Sequence, residues 1–221
     1  MQRLYRLLVG CTLPIVRKCG RYIMGFNMNF KKCLYLLIFV LGSFVTAKGQ
    51  NNVAVKTNLL YDAAANANLG VEVGLAPRWS IDLSADYNQW TIRERKWKHW
   101  FVQPEARYWF CDRFVKHFLG LHAIGGQFNV GNIKNNISFL GSDFSKLTDQ
   151  RYQGWGIGAG IAYGYALPLG RHWNMEFELG VGYVYLNYDR YKCTDCGKKI
   201  GDGDHHYVGP TKAAINLVYV F

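Results

Sequence analysis

From residue 53 to its end the chain alternates. Val53, Val55, Thr57, Leu59 and Tyr61 fall in one set, with Lys56, Asn58 and Asp62 in the other. Leu69, Val71, Val73 and Leu75 oppose Gly70, Glu72 and Gly74; Ile81, Leu83, Ala85 and Tyr87 oppose Asp82, Ser84 and Asp86. Trp100, Val102, Pro104, Ala106 and Tyr108 oppose Gln103, Glu105, Arg107 and Trp109. A fifth run from about Phe114 to Val130 sets Leu119, Leu121 and Ala123 against Gly120, His122 and Ile124. In the sixth, Trp155, Ile157, Ala159, Ile161, Tyr163 and Tyr165 oppose Gly154, Gly156, Gly158, Gly160, Ala162 and Gly164. The seventh sets Trp173 through Tyr185 against Asn174, Glu176, Glu178, Gly180 and Gly182, and the eighth sets Ala213, Ile215, Leu217, Tyr219 and Phe221 against Lys212, Ala214 and Asn216. Period two is the mark of a strand, and no long amphipathic helix competes with these runs.

The glycine-rich run decides which way the faces point. In a soluble sheet the face opposite the apolar one is polar; here it is nearly bare. A bare face suits the crowded inside of a narrow closed barrel whose bulky face meets lipid. A bend in a soluble sandwich is the competing explanation of that run, and a lipocalin-like barrel keeps the same alternation with the apolar face inward. Tyr and Trp near the strand ends (Trp79, Tyr87, Trp100, Tyr108, Trp155, Trp173, Tyr183, Tyr219) favour interfacial girdles. The connections at 76–78, 111–113 and 169–171 are tight, whereas 62–68, 91–98, 131–153 and 189–207 are long. Short turns at one end and long loops at the other are the habit of outer-membrane barrels. The expectation is an all-β chain: an eight-stranded antiparallel transmembrane β-barrel of the outer-membrane type, preceded by a signal peptide. The closing run Asn216–Phe221, alternating and ending on an aromatic, resembles the terminal signal of such proteins and implies the barrel-assembly machinery as a partner during insertion.

The first forty-nine residues differ from the rest. Lys31 and Lys32 precede an apolar run from Cys33 to Val45, and Ala47-Lys48-Gly49 offers a cleavage site. The division is 1–49 as an N-terminal extension and signal peptide, with Met28 the better start, and 50–221 as the barrel domain. This division changes the charge. The formal +11 rests on 26 basic and 15 acidic residues, but eight of the basic residues and none of the acidic ones lie before Gln50. The remainder is 18 against 15, or +3, which gives no support to nucleic-acid binding.

LGVEVGLAPRWSIDLSADYNQW, FVQPEARYWF, the stretch from Gly154 to Tyr191 and GPTKAAINLVYVF together resemble the DUF3575 family, small outer-membrane barrels of Bacteroidetes, over about Asn51 to Phe221. The resemblance implies localisation in the cell outer membrane, with outer-membrane lipid and lipopolysaccharide as surroundings. It carries no catalytic residues, and an association with fimbrial or other surface proteins only by analogy.

Three groups of residues are candidates for chemistry. Cys193 and Cys196 form a CxxC near His205 and His206. In an oxidising compartment a disulfide is the favoured outcome; the alternatives are a tetrahedral zinc site with His205 or His206, or free thiols. Ser84, Asp82, Asp86 and His122 permit a hydrolytic triad to be drawn, but polar lumen filling accounts for them better, so no catalytic residue and no cofactor are expected. Arg93–Trp100 is a basic-aromatic cluster assigned to a loop, fit either for lipopolysaccharide or, by preference, for a solvated interface anchor. The inward set holds Lys56, Arg107 and Lys212 with Glu72, Asp82, Asp86, Glu105, Glu176 and Glu178, which predicts long basic side chains reaching across to acids, with the bare face giving them room. The expected function is a non-enzymatic barrel with a plugged lumen, acting in surface interaction, anchoring or envelope integrity; the alternatives are a lipid-modifying enzyme and a small channel.

Overall fold

Each alternating run becomes a strand. The computed structural model describes residues 53–92, 95–131, 138–139, 142–143, 151–192 and 197–221. The elements are β1 (Val53–Asn58), α1 (Leu59–Ala63), β2 (Ala67–Ala76), β3 (Trp79–Ile92), β4 (Arg95–Trp109), β5 (Lys116–Gly131), β6 (Ser138–Phe139), β7 (Ser142–Asp143), β8 (Arg151–Pro168), β9 (Trp173–Tyr191) and β10 (Lys199–Val220). β6 and β7 pair only with each other. The other eight strands pair antiparallel in the closed order β1-β10-β9-β8-β5-β4-β3-β2, and β2 returns to β1. Among the described residues no helix is long and apolar enough to cross a membrane, which says nothing of strands.

The ring is inverted relative to a soluble barrel. Its outer face carries Leu179 at 72 % exposure, Leu121 at 64 % and Ile161 at 62 %, whereas Arg107, Glu72 and Asp82 inside are at 0 %. All nine charged residues assigned to the inward set are buried. Aromatic pairs gird both ends of the outer apolar band. Trp79 meets Tyr108 at 5.1 Å and Trp173 meets Tyr219 at 5.0 Å near the short turns, and Trp155 meets Tyr185 at 5.8 Å towards the other end. The apolar core proper is small and lies inside the ring at the turn end: Ala54, Trp109, Phe114, Phe118, Ala166, Val218 and Val220.

Three expectations need correction. The first strand does not run to Tyr61, because Asn58 caps a helix there: its Oδ1 accepts from Leu60 N at 3.1 Å, satisfying a donor that a starting helix leaves open. The connections 91–98 and 189–207 are mostly strand, since β3 reaches Ile92, β4 starts at Arg95, β9 reaches Tyr191 and β10 starts at Lys199. There the backbone ladder continues after the apolar band has ended; on β10 no side chain from Lys199 to Tyr207 is buried, so alternation no longer marks it. Finally, β5 starts at Lys116 rather than near Phe114. Phe114 and Lys116 sit at φ 63° and 62°, a left-handed conformation that interrupts the extended run, and Lys116, paired with Ala166, is where the ladder begins. The Phe114 ring is buried inside the ring, 5.8 Å from Trp109, and Asn174 Nδ2 donates to its carbonyl at 2.7 Å.

Candidate functional site: the charged interior

Arg107 stands at the centre of the ring, and the strand register brings it there. On β4 the odd residues face inward, so Gln103, Glu105, Arg107 and Trp109 form one inward row, all buried. Their β3 partners put Asp82 opposite Glu105 and Ser80 opposite Arg107. On β9, Glu176 and Glu178 form the facing row. The Arg107 guanidinium donates through Nε to Glu105 at 2.6 Å, through Nη1 to Glu72 at 2.6 Å and Glu176 at 3.1 Å, and through Nη2 to Glu178 at 2.8 Å. Asp82 lies 3.6 Å from Nη2.

Two lysines flank it. Lys56 Nζ pairs with Glu72, with Glu176 at 3.2 Å and with Asp82 at 3.4 Å. Lys212 Nζ pairs with Glu105 at 2.6 Å and Glu178 at 3.0 Å, and has Asp82 at 3.9 Å. Glu105 therefore divides its oxygens, Oε1 to Arg107 and Oε2 to Lys212. Five carboxylates surround three cations drawn from β1, β2, β3, β4, β9 and β10. Moving an ion from water into such an interior costs several kcal/mol, which only close multiple pairing offsets.

Below the charges, towards the turn end, lies an aromatic floor. Phe118 lies under the Arg107 guanidinium at 4.4 Å and packs on Trp109 at 4.6 Å. Trp109 Nε1 donates to Ser80 Oγ at 2.8 Å, and Ser80 donates in turn to Glu72. Sequence reasoning placed Trp109 inward but missed this floor, because Phe114 and Phe118 lie at the start of the fifth run, outside its clear alternation. Above the charges the interior turns mixed. Asp86 pairs with His99 at 2.7 Å, His99 stacks on Phe101, and Tyr61 of α1 meets Phe101 edge-on at 5.9 Å. A cavity of about 140 Å³ follows, lined by Phe101, Ile124, Phe128, Val184 and Leu186, far below the size of a drug-sized ligand pocket.

The bare face serves two purposes where one was expected. Opposite long side chains it does give room: a Cβ at Gly164 would fall on the Phe118 ring, one at Gly120 would stand 2.6 Å from the Glu105 carboxylate, and one at Gly70 would stand 2.6 Å from Lys56 Cγ. At Gly154, Gly158 and Gly182 the obstacle is the neighbouring main chain instead, namely the carbonyls of Asn187, Tyr183 and Ala159. Those glycines let β8 and β9 approach each other, as strongly coiled strands require.

The residues drawn as a triad are not brought together. Ser84 Oγ donates to Asp82 at 2.8 Å, Asp86 holds His99, and His122 Nε2 meets Thr211 Oγ1 at 2.8 Å with Glu105 3.8 Å from its other nitrogen. Cys193 and Cys196 lie outside the described residues, as do Arg93, Glu94 and the whole of the expected signal peptide. His205 and His206 project from opposite faces of β10. His206 is held by Tyr183 and, at 3.3 Å, by Asp204. No group of three metal-ligating side chains occurs among the described residues. Cys111 is free and exposed in its turn. Of the basic-aromatic cluster, Trp97–Trp100 belongs to strand β4 rather than a loop. At the far end of β9 and β10, Asp189 sits 2.7 Å from Lys199 Nζ and holds that ammonium above its ordinary value.

Comparison with known proteins adds one finding: residues 34–221 match the family described as a protein of unknown function, DUF3575. The match begins earlier than the resemblance read from the residues, inside the apolar run assigned to a signal peptide. Neither the curated proteins nor the solved structures gave a match.

Proposed function

Since the chain belongs to the DUF3575 family, whose description assigns no activity, we propose its function from the ring itself: a non-enzymatic barrel of the outer membrane with a sealed lumen, serving surface interaction, anchoring or envelope integrity. The observation that carries this reading is the inversion of the ring, with Leu, Ile, Val and girdling aromatics outside and paired charges inside. In water such an exterior is an exposed apolar patch far beyond what a soluble monomer tolerates; against hydrocarbon it is at rest, and the closed ring leaves few main-chain groups unpaired there. The resemblance to outer-membrane barrels supports the same place, and lipid and lipopolysaccharide are then its surroundings. A signal peptide over 1–49 and insertion by the barrel-assembly machinery belong to this reading, as does an association with fimbrial or other surface proteins.

The sealed lumen rests on Arg107, which bridges β4 to the acids of β2 and β9, and on the aromatic floor beneath it. A test is ion conductance of the purified protein in planar bilayers. The expected result is no steady current, with at most brief openings; large, stable, ion-selective currents would overturn the sealed reading in favour of a channel. Hydrolysis of outer-membrane lipid by the purified protein would overturn the non-enzymatic one.

A further inference from the structure

The registers leave one stretch of the ring wall unfinished. β10 pairs with β9 from Lys199 to Tyr219, but with β1 only from Asn216 to Val220. β2 reaches up to Ala67, opposite Tyr87, while β3 and β4 run on to the pair Ile92 and Arg95. Above Asn216, therefore, β10 has no strand on its β1 side among the described residues. Asn58 covers the first step: its Nδ2 donates to Ala213 O and its Oδ1 accepts from Ile215 N, each at 3.2 Å. A bulge between Pro210 and Lys212 covers the next, with the Thr211 carbonyl turned inward to Gln103 Nε2 at 3.3 Å. Tyr207 Oη donates to the Pro210 carbonyl at 3.2 Å, and above that, among the described residues, no such cover follows.

The register also tells which main-chain groups line this edge. At the foot of β10, Phe221 N donates to Val53 O on the β1 side, and Val220 N donates to His172 O on the β9 side. Outward-facing residues thus aim their main-chain groups at the β1 side, and inward-facing ones at β9. The bulge adds one residue and exchanges odd for even, so above it the outward set is Asp202, Asp204, His206 and Val208, all exposed. Their N–H and C=O groups form a row about 20 Å long.

We propose that this edge takes up an extended segment of another polypeptide by strand addition. A row of main-chain donors and acceptors at two-residue spacing is matched by another main chain and by little else. The edge is preformed, because β9 braces β10 along nearly its whole length. It is also long, where folded proteins keep their bare edges short or blocked. Side chains state what the incoming strand carries. Val208, 70 % exposed, calls for an apolar residue beside it; Asp202 and Asp204 already meet Lys199 at 3.5 Å and His206 at 3.3 Å, yet keep more than half of their side-chain surface exposed and have room for a further basic neighbour. The partner is an extended segment of alternating apolar and basic residues. This names a partner class for the surface-interaction reading and rests on that reading for access from outside; the bare edge itself rests on the registers alone.

The experiment uses the mature protein in detergent micelles, with residue-resolved amide hydrogen exchange. The probe is an eleven-residue peptide of alternating Val and Thr with two lysines set to face Asp202 and Asp204, together with a copy N-methylated at every second residue. In the free protein the amides of Asp202, Asp204, His206 and Val208 are expected to exchange roughly 100-fold faster than those of Gly203 and Tyr207, which face β9. The plain peptide slows these four amides and the N-methylated copy does not. Asp204→Pro removes binding, since its N–H faces the edge and not β9. Slow exchange of the four amides without peptide, their protection by phospholipid alone in nanodiscs, or equal binding of the N-methylated copy would each overturn the proposal. The N-methylated copy makes its comparison on unaltered protein, so the test does not depend on the variant folding. Conductance and peptide binding fail separately: a steady current unseats the sealed lumen, and loss of peptide binding unseats only the edge.

Discussion

Arg107 is where a single residue matters most. It donates to four carboxylates and lies over Phe118, with no exposure to solvent. Removing one member of a buried ionic network costs about 3–5 kcal/mol, because the partners stay buried and uncompensated. Arg107→Met is expected to lose about that much in urea unfolding of the folded protein in micelles. Glu178→Gln is expected to lose much less, about 1 kcal/mol, because five acids face three cations and one fewer negative charge relieves the excess while the amide keeps a hydrogen bond. Equal losses for the two would mean that packing rather than charge balance holds the interior. Gly158 carries a different kind of constraint. A side chain there meets the Tyr183 carbonyl and Val184 of the next strand, so Gly158→Leu is expected to prevent the heat-stable folded form on unheated gels. The cause is the close approach of β8 and β9 at the Tyr183 carbonyl. Gly164→Ala, which displaces only the Phe118 ring, is expected to fold with reduced stability.

At the scale of elements, the strands were legible wherever one face met the apolar exterior and the other the charged interior. Leu179 and Glu178 differ as sharply in sequence as in exposure, and the inward charges could be named from alternation alone. Legibility failed where that contrast ends. The upper part of β10 keeps solvent on both faces, as do Trp97 and Lys98 on β4, so residues such as Lys98 and Asp204 read as loop although the ladder holds them. It failed at α1 for another reason: Leu59 and Tyr61 continue the period-two pattern, and only the long-range bonds of Asn58 to Ala213 and Ile215 reveal that β1 has ended. The contacts between Arg107 and its acids were legible as a class, basic reaching acidic, but the pairings depend on register, which alternation does not fix. Asn58→Ala removes a helix cap and both bonds to β10. A cap alone is worth about 0.5–2 kcal/mol, and the variant is expected at the upper end of that range by urea titration.

For the whole molecule, the ring sets a direction. The turns at 77–78 and 169–172 lie at the end where β1 and β10 meet, and the connections after β3, β5 and β9 lie at the other. In the outer-membrane reading the turn end faces the periplasm. A tag after Asn136, which lies outside the described residues, is expected to bind antibody on intact cells, and a tag at Pro77 only after permeabilisation; the reverse result would invert the orientation. The seam that closes the ring also orders events in time. Five register pairs, from Ala54 with Val220 to Asn58 with Asn216, join the beginning of the described fold to its last strand, whereas the other strands of the ring are joined by short-range hairpins or by the 131–151 connection. Hairpins nucleate early because their loops are cheap to close, and the contact spanning the chain comes last. Until β10 reaches β1, Arg107 and its acids have no complete enclosure and remain open to water. Closure of the ring is therefore expected as one late step, and a chain lacking residues 216–220 is expected to keep, of this seam, only the bonds of Asn58 to Ala213 and Ile215.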